Sequence, residues 1–313
     1  MKRRRIVTIG AAIIAAVAIS LAVSLGGKPA DQNSAASAGP HRDSLPPRPD
    51  AYFGMFAAPS PQSYAGVTAF TASTGVTPSV VVYYSGWLEP FRASFAAAAV
   101  KHNAVPLVQI DPNHTSLRAI ASGQYDAYLR SYAAAVRALG ARVILSFAHE
   151  MNGSWYSWGN GHTSPAVFIA AWRHIVTVFR QQRADNVTWL WTVNVMRKRG
   201  NVPSPAPWWP GSSYVNWVGI DGYYNKPSGA FAPLFGPTIV SVRALTTDPI
   251  LISETGAKPA VGQPDKIADL FAGVHAYGLL GFVWFDVRGW RLSSPAAIAA
   301  FRQGASTYKR PAS

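Results

Sequence analysis

Apolar positions along the chain gather into short runs with polar stretches between them. The runs are 51–57 (AYFGMFA), 79–84 (SVVVYY), 105–110 (VPLVQI), 142–148 (RVILSFA), 187–193 (VTWLWTV), 216–221 (NWVGID), 249–253 (PILIS) and 280–286 (LGFVWFD). They are rich in β-branched and aromatic residues, which predicts strands. Their apolar character is nearly continuous rather than alternating, as expected of strands covered on both faces.

Helical patterns separate most of these runs. Leu88–His102 carries small and apolar residues at helical spacing. Thr115–Leu139 predicts one or two helices, closed by Gly140 in the left-handed position that follows many helices. Ser164-Pro165 opens a helix through Arg183, with Ser as cap and Pro in the first turn. Pro264-Asp265 starts a helix to Tyr277 that ends at Gly278, and Ser294-Pro295 starts the last. Alternation of this kind predicts a parallel sheet wrapped by helices. Eight units in one domain predict a closed (β/α)8 TIM barrel. The alternative is a doubly wound open sheet, which usually carries G-x-G-x-x-G after its first strand. Ala57-Ala58-Pro59-Ser60 stands there instead.

The first 50 residues do not fit this pattern. Lys2-Arg3-Arg4-Arg5 is followed by an apolar run from Ile6 to Leu25. That is the charged and apolar part of an export signal. Its length of about 20 residues also suffices to span a bilayer. Two readings of residues 1–26 stay open: a cleaved signal peptide, or an uncleaved single membrane span with its basic end cytoplasmic. In either case the protein is expected to be exported, either extracellular or anchored on the outer face of the cytoplasmic membrane. Residues 27–50 are rich in Pro, Ser, Ala and Gly and read as a flexible linker. The globular domain is then expected over 51–313.

Composition narrows the chemistry. The formal net charge is +14, and the one dense basic cluster outside the N-terminus is Arg197-Lys198-Arg199. No nucleic-acid-binding module accompanies it, so the excess is expected to reflect solubility and surroundings, with contact to an anionic cell envelope as the partner reading left open. There are no cysteines, which excludes disulfides, thiol catalysis and Cys-ligated zinc. The seven histidines show no H-x-H or H-x-x-x-H spacing, and neither a metal nor a cofactor is expected. The domain is expected to be a monomer. Eleven Trp and thirteen Tyr suit either a core or a sugar-binding groove.

A barrel places its active site at the C-terminal ends of its strands. Gln109 and Asp111 stand at such ends, as do His149-Glu150-Met151-Asn152, Asn194, Asp221-Gly222-Tyr223-Tyr224, Ser253-Glu254 and Trp284-Phe285-Asp286. The chain has three glutamates, Glu89, Glu150 and Glu254, and two of them end the fourth and seventh strands. Those positions face each other across a barrel mouth. Two facing carboxyls are the equipment for glycoside hydrolysis, held about 5–5.5 Å apart in a retaining enzyme.

The stretches AHEMNGSWYSWG (148–159), WLWTVN (189–194), WWPGSSYVNWVGIDGYY (208–224), PILISETGA (249–257) and GFVWFD (281–286) resemble glycoside hydrolase family 26. The resemblance covers about residues 51–305. It implies a retaining β-glycosidase, with Glu150 as acid/base and Glu254 as nucleophile. It also implies that His149 bonds substrate or orients the nucleophile, and that Tyr223 hydrogen-bonds the nucleophile. Asp221 would contact sugar or partners on the Tyr223 side, and Asn194 is a further candidate. Trp284 would form the stacking platform, while Trp155 and Trp158 line the leaving-group side. Trp172, Trp189, Trp191 and Trp217 are expected to pack in the core.

There are departures from the family pattern. Ser146 stands where the family often has Arg, and Ile110-Asp111-Pro112 where it often has Trp-Glu-Pro. WYSWG replaces the common WYPWG. The expected function is hydrolysis of β-linked polysaccharide of the endo-β-1,4-mannanase kind. A β-1,3-1,4-glucanase, or a catalytically weak barrel that only binds polysaccharide, stays open.

Overall fold

Each of the eight apolar runs forms a strand: β1 (Tyr52–Phe56), β2 (Val80–Gly86), β3 (Val105–Asp111), β4 (Val143–Phe147), β5 (Val187–Asn194), β6 (Trp217–Asp221), β7 (Ile250–Thr255) and β8 (Gly281–Phe285). They pair in parallel, each with its sequence neighbours, and β8 closes on β1 to complete the barrel. The computed structural model describes residues 45–198, 201–292 and 294–307. The export or anchor segment read at 1–26 lies outside the described residues, as does the linker as far as residue 44.

Eight α-helices cover the strands: α1 (Ala65–Thr74), α2 (Ala93–Lys101), α3 (Leu117–Ala121), α4 (Asp126–Ala138), α5 (Pro165–Gln181), α6 (Phe231–Arg243), α7 (Gln263–Ala276) and α8 (Pro295–Ser306). Local chemistry sets their ends where the sequence predicts. The Ser164 and Ser294 side chains accept the backbone N–H of Val167 and Ala297, and Gly140 and Gly278 take positive φ after α4 and α7. The sequence patterns predict no helix at α1 or α6. Neither has a side-chain cap; α1 is closed by Gly75 in the left-handed conformation, and α6 holds Pro237 in its interior. Both are held instead by tertiary burial of residues such as Phe70, Phe231 and Phe235.

Strand residues alternate between two apolar layers. One layer fills the barrel and includes Tyr52, Val82, Leu107, Ile144, Leu190, Trp217, Leu251 and Val283. The other packs against the helices and includes Phe53, Val81, Val108, Leu145, Trp189, Val218, Ile252 and Phe282. Leu45 belongs to the inner layer, and its N–H bonds the Thr188 hydroxyl at 3.0 Å. The Tyr52 hydroxyl also bonds the Pro46 carbonyl at 2.7 Å. The folded body therefore begins ahead of Ala51, because Leu45 supplies apolar surface at the N-terminal end of the barrel that composition does not reveal.

Alternation also decides the fate of Trp284. It lies on the helix-facing side of β8, wholly buried, with its ring 5.7 Å from Phe301 of α8. The stacking platform expected at Trp284 is thus corrected: the ring is core, and the adjacent Phe285 turns to the mouth. Trp172, Trp189, Trp191 and Trp217 are all buried, as expected. Trp284→Ala is expected to cost about 3–5 kcal/mol of folding stability, as for other large-to-small core changes. Urea unfolding measures this, and a loss below about 1 kcal/mol would return Trp284 to the surface of the site.

Candidate active site

Two strand ends depart from regular geometry, and each presents one of the paired glutamates. In β7, Leu251 pairs with Gly219 and Glu254 with Asp221, so three residues of β7 span two of β6. The same excess occurs against β8, between the Ile252–Phe282 and Thr255–Trp284 pairs. This is a β-bulge, which re-aims a side chain. It lets the consecutive residues Ser253 and Glu254 both bond groups at the mouth. The Ser253 hydroxyl donates to Asp221 at 2.6 Å, and the Tyr84 and Tyr223 hydroxyls donate to the two oxygens of Glu254.

Beyond β4, Ala148 and Glu150 both adopt left-handed backbone conformations, with φ of 49° and 55°. Such residues cost of order 1–3 kcal/mol each and persist where neighbours hold them. Here the neighbouring strands do so. Ala148 N–H bonds the Ile110 carbonyl of β3 at 3.0 Å, and Glu150 N–H bonds the Thr192 carbonyl of β5 at 2.9 Å. The kinked segment delivers His149 and Glu150 to the mouth together.

Glu150 is buried, and both its oxygens accept from N–H groups. Asn194 Nδ2 reaches Oε1 at 2.5 Å and Trp155 Nε1 reaches Oε2 at 2.7 Å. Asn194 is fixed in turn by Asn152, whose side chain bonds both its N–H and its carbonyl at 2.9 Å. Trp155 is 44% exposed, yet folds back over Gly153, where an added Cβ would lie 2.3 Å from its ring. Glycine is required there by this close approach.

His149 holds the site together electrostatically. Its Nδ1 lies 2.9 Å from Asp111 Oδ1 and its Nε2 3.1 Å from the Tyr156 hydroxyl. Burial alone would favour the neutral ring. The charge of Asp111 and its hydrogen bond, then the charges of Glu150 and Asp221, outweigh it and carry the pKa from 6.5 to about 10. The imidazolium donates from both nitrogens, so the Tyr156 hydroxyl accepts from it.

Burial pushes the Glu150 carboxyl above its usual range. The His149 charge opposes this, Glu254 adds to it, and the Asn194 and Trp155 hydrogen bonds restrain it. Asp221 lies well above the carboxylate range, through burial first and then the charges of Glu254 and Glu150. It is wholly buried beneath the mouth and bonded to Ser253. Asp221 was expected to contact sugar or partners on the Tyr223 side; its burial removes it from sugar contact, and it is part of the floor. The floor is close-packed. A Cβ on Gly219 would lie 2.4 Å from the Ser253 hydroxyl and 2.6 Å from that of Thr192.

Trp158 is also buried. It donates to the His149 carbonyl at 2.8 Å and stacks on Tyr156 at 4.3 Å, so it supports the site from behind rather than lining it. Tyr84 and Tyr156 were not among the residues singled out from sequence, although both reach the site. Half-buried Phe56, Phe285 and Trp290 also stand at the mouth. Trp290 packs 4.8 Å from Tyr223 and Phe285 4.9 Å from Phe56. These aromatics supply the flat apolar surface expected of Trp284.

The arrangement pairs one buried carboxyl of raised proton affinity with a second carboxylate gripped by two hydroxyl donors, across the mouth of a barrel. A family model described as glycosyl hydrolase family 26 matches residues 119–261, a span that includes Glu150, Asn194, Tyr223 and Glu254. Over that span the chain is similar to glycosyl hydrolase family 26. It is 28% identical over 261 residues to endoglucanase H of Acetivibrio thermocellus, covering 77% of this chain and 29% of that protein. It is 34% identical over 95 residues to mannan endo-1,4-beta-mannosidase A and B of Caldalkalibacillus mannanilyticus, covering 28% and 18%. The chain thus spans less than a third of the length of these two relatives. A GH26 beta-mannanase from Bacteroides ovatus shares the fold, with a TM-score of 0.62 and 14% identity over 83% of this chain and 90% of that one.

Set against that family's pattern, the chain keeps both glutamates but differs in the wall beside them. Ser146, where an arginine often stands, is buried and bonds the Thr192 hydroxyl at 2.9 Å. Asp111 carries the carboxylate of the third strand end to His149.

The His149 pair makes stability depend on pH. A histidine raised from 6.5 unfolded to about 10 folded stabilises fully below pH 6.5 and loses that contribution as pH rises toward 10. Asp111→Asn is expected to destabilise by about 1–3 kcal/mol near pH 5.5. The gap to wild type should narrow above pH 6.5 and close near pH 10. A gap that does not vary with pH in parallel thermal melts would rule out the charged pair.

Proposed function

We propose that this chain is a retaining glycoside hydrolase that cleaves β-linked polysaccharide, in the manner of an endo-β-1,4-mannanase. The observation that carries the reading is the unequal environment of two facing glutamates. Glu150 is buried with a raised pKa, as a general acid needs. Glu254 is held by two tyrosine hydroxyls, which orient it as a nucleophile.

In the first step the Glu254 carboxylate attacks the anomeric carbon while Glu150 gives its proton to the departing glycosidic oxygen. The product is a glycosyl ester on Glu254. Glu150 is then anionic, and the His149 imidazolium and the Asn194 and Trp155 N–H groups stabilise it in that form. In the second step this carboxylate takes a proton from water, the water oxygen attacks the anomeric carbon, and Glu254 leaves. The same hydrogen bonds therefore serve the base half of the cycle. Phe285, Trp290 and Trp155 offer aromatic faces for the sugar rings.

The mannan reading draws on the named activities of the mannosidase relative and of the Bacteroides ovatus structure. A β-glucan is the second reading, favoured by the longer match to endoglucanase H. The basic and apolar N-terminus supports export, with the cleaved and anchored forms distinguished by sequencing the N-terminus of the mature protein.

The decisive test incubates the full-length protein and its Glu254→Ala variant with mannan, glucomannan, mixed-linkage glucan, β-1,3-glucan and xylan. New reducing ends from mannan or glucomannan with wild type alone are the expected result. Release from mixed-linkage glucan alone moves the substrate to glucan, and release from none leaves a binding barrel. Glu150→Ala should slow substrates with poor leaving groups by about 10²–10⁴-fold, and activated aryl glycosides far less, since only the former need the proton. Equal losses on both would remove Glu150 as the acid. Asn194→Ala removes a donor that favours ionised Glu150, so the alkaline limb of the kcat/KM profile should move to higher pH. A limb that stays in place or moves down would separate Asn194 from the acid.

A further inference from the structure

A cleft of about 570 Å³ lies between the segment following β5 and the segment joining β6 to α6. It opens onto the catalytic pair, because Asn194 and Tyr223 line it and bond Glu150 and Glu254 respectively. Its charge is one-sided. Arg197, Lys198 and Lys226 line it, and none of the lining residues is acidic. Arg197 is spent on a neutral partner, the Asn194 side-chain oxygen at 2.7 Å, and sits over the Trp155 ring at 5.8 Å. Lys198 and Lys226 are exposed and form no ion pair with a described residue. A fourth cation braces the wall. Lys266 Nζ bonds the carbonyls of Pro227 at 2.6 Å and Gly229 at 2.5 Å, which fixes the loop that displays Lys226.

A concave wall of unpaired cations attracts anions and concentrates them locally. A neutral polysaccharide can accept hydrogen bonds from such a wall but gains no charge attraction from it. Its position matters equally: a sugar lying in the cleft is next to the bond that Glu150 and Glu254 address. We propose that this cleft binds an anionic sugar, one bearing a carboxylate or phosphate, in the stretch of glycan beside the scissile bond. A β-glycan carrying such a group is then preferred over a neutral one, an inference that rests on the hydrolase reading above. Arg197 links the cleft to catalysis, since it holds the amide that holds Glu150.

The test measures binding to the full-length Glu254→Ala chain by calorimetry, so that no turnover is needed. The probes are β-1,4-linked mannohexaose, the corresponding hexamer of mannuronic acid, and mannohexaose phosphorylated at the 6-hydroxyls. At least one anionic probe is expected to bind about tenfold or more tightly than the neutral one, and which one names the oxyanion. That advantage should shrink between about 50 and 500 mM NaCl. It should fall toward unity when Lys198→Ser and Lys226→Ser are added together, with the melting temperature checked in parallel. Equal affinity for all three probes, or an advantage that survives the double change, overturns the proposal. Turnover by wild type is scored separately. Cleavage of neutral mannan without any anionic preference overturns the acidic cleft and leaves the hydrolase standing. Lysine-dependent anion binding without cleavage of any glycan overturns the hydrolase and leaves the cleft.

Discussion

A parallel strand hands only every second side chain to the interior of a barrel, and a catalytic mouth needs more than that. The chain meets this constraint by breaking strand geometry at two places. The extra residue in β7 lets Ser253 secure the floor while its neighbour Glu254 meets Tyr84 and Tyr223. The left-handed Ala148 and Glu150 bring His149 and Glu150 to the mouth as consecutive residues. Each irregularity is pinned by the strands on either side, so the cost of unusual backbone falls on a closed sheet with no edge to fray.

The second organising constraint is charge. Glu150, Glu254, Asp221 and Asp111 crowd one barrel end, and a single buried cation, His149, stands among them. Paired with Asp111, His149 stays protonated across the physiological range and tempers the rise in proton affinity at Glu150 and Asp221. Burial and mutual repulsion lift Glu150, while hydrogen bonds from Asn194 and Trp155 limit the lift.

Much of this was legible in the sequence, for identifiable reasons. Buried parallel strands announce themselves as unbroken apolar runs, so all eight were visible. Ser164, Gly140, Gly278 and Ser294 marked helix ends through chemistry that is local in sequence. The exceptions share a cause as well. Trp284 and Phe285 are adjacent aromatics, and only strand alternation, set by the whole barrel, tells which one faces the mouth. Tyr84 ends β2 beside Tyr83, and the pair reads as ordinary strand; one is core and the other bonds Glu254. Asp221 and Trp158 were placed at the site by the family resemblance, which does not tell a lining side chain from a support behind it; both are buried supports. Helix α6 lacks a cap and holds Pro237, and α1 shows only Gly75 at its end, so their local signals are weak.

The seat of Leu45 has a consequence for the two ends of the barrel. Leu45 packs among side chains at the N-terminal end, and the paired glutamates stand at the C-terminal end. The described chain thus enters the body at the pole opposite the glutamate mouth, and the solvent approach to that mouth is separated from the entry along the barrel axis.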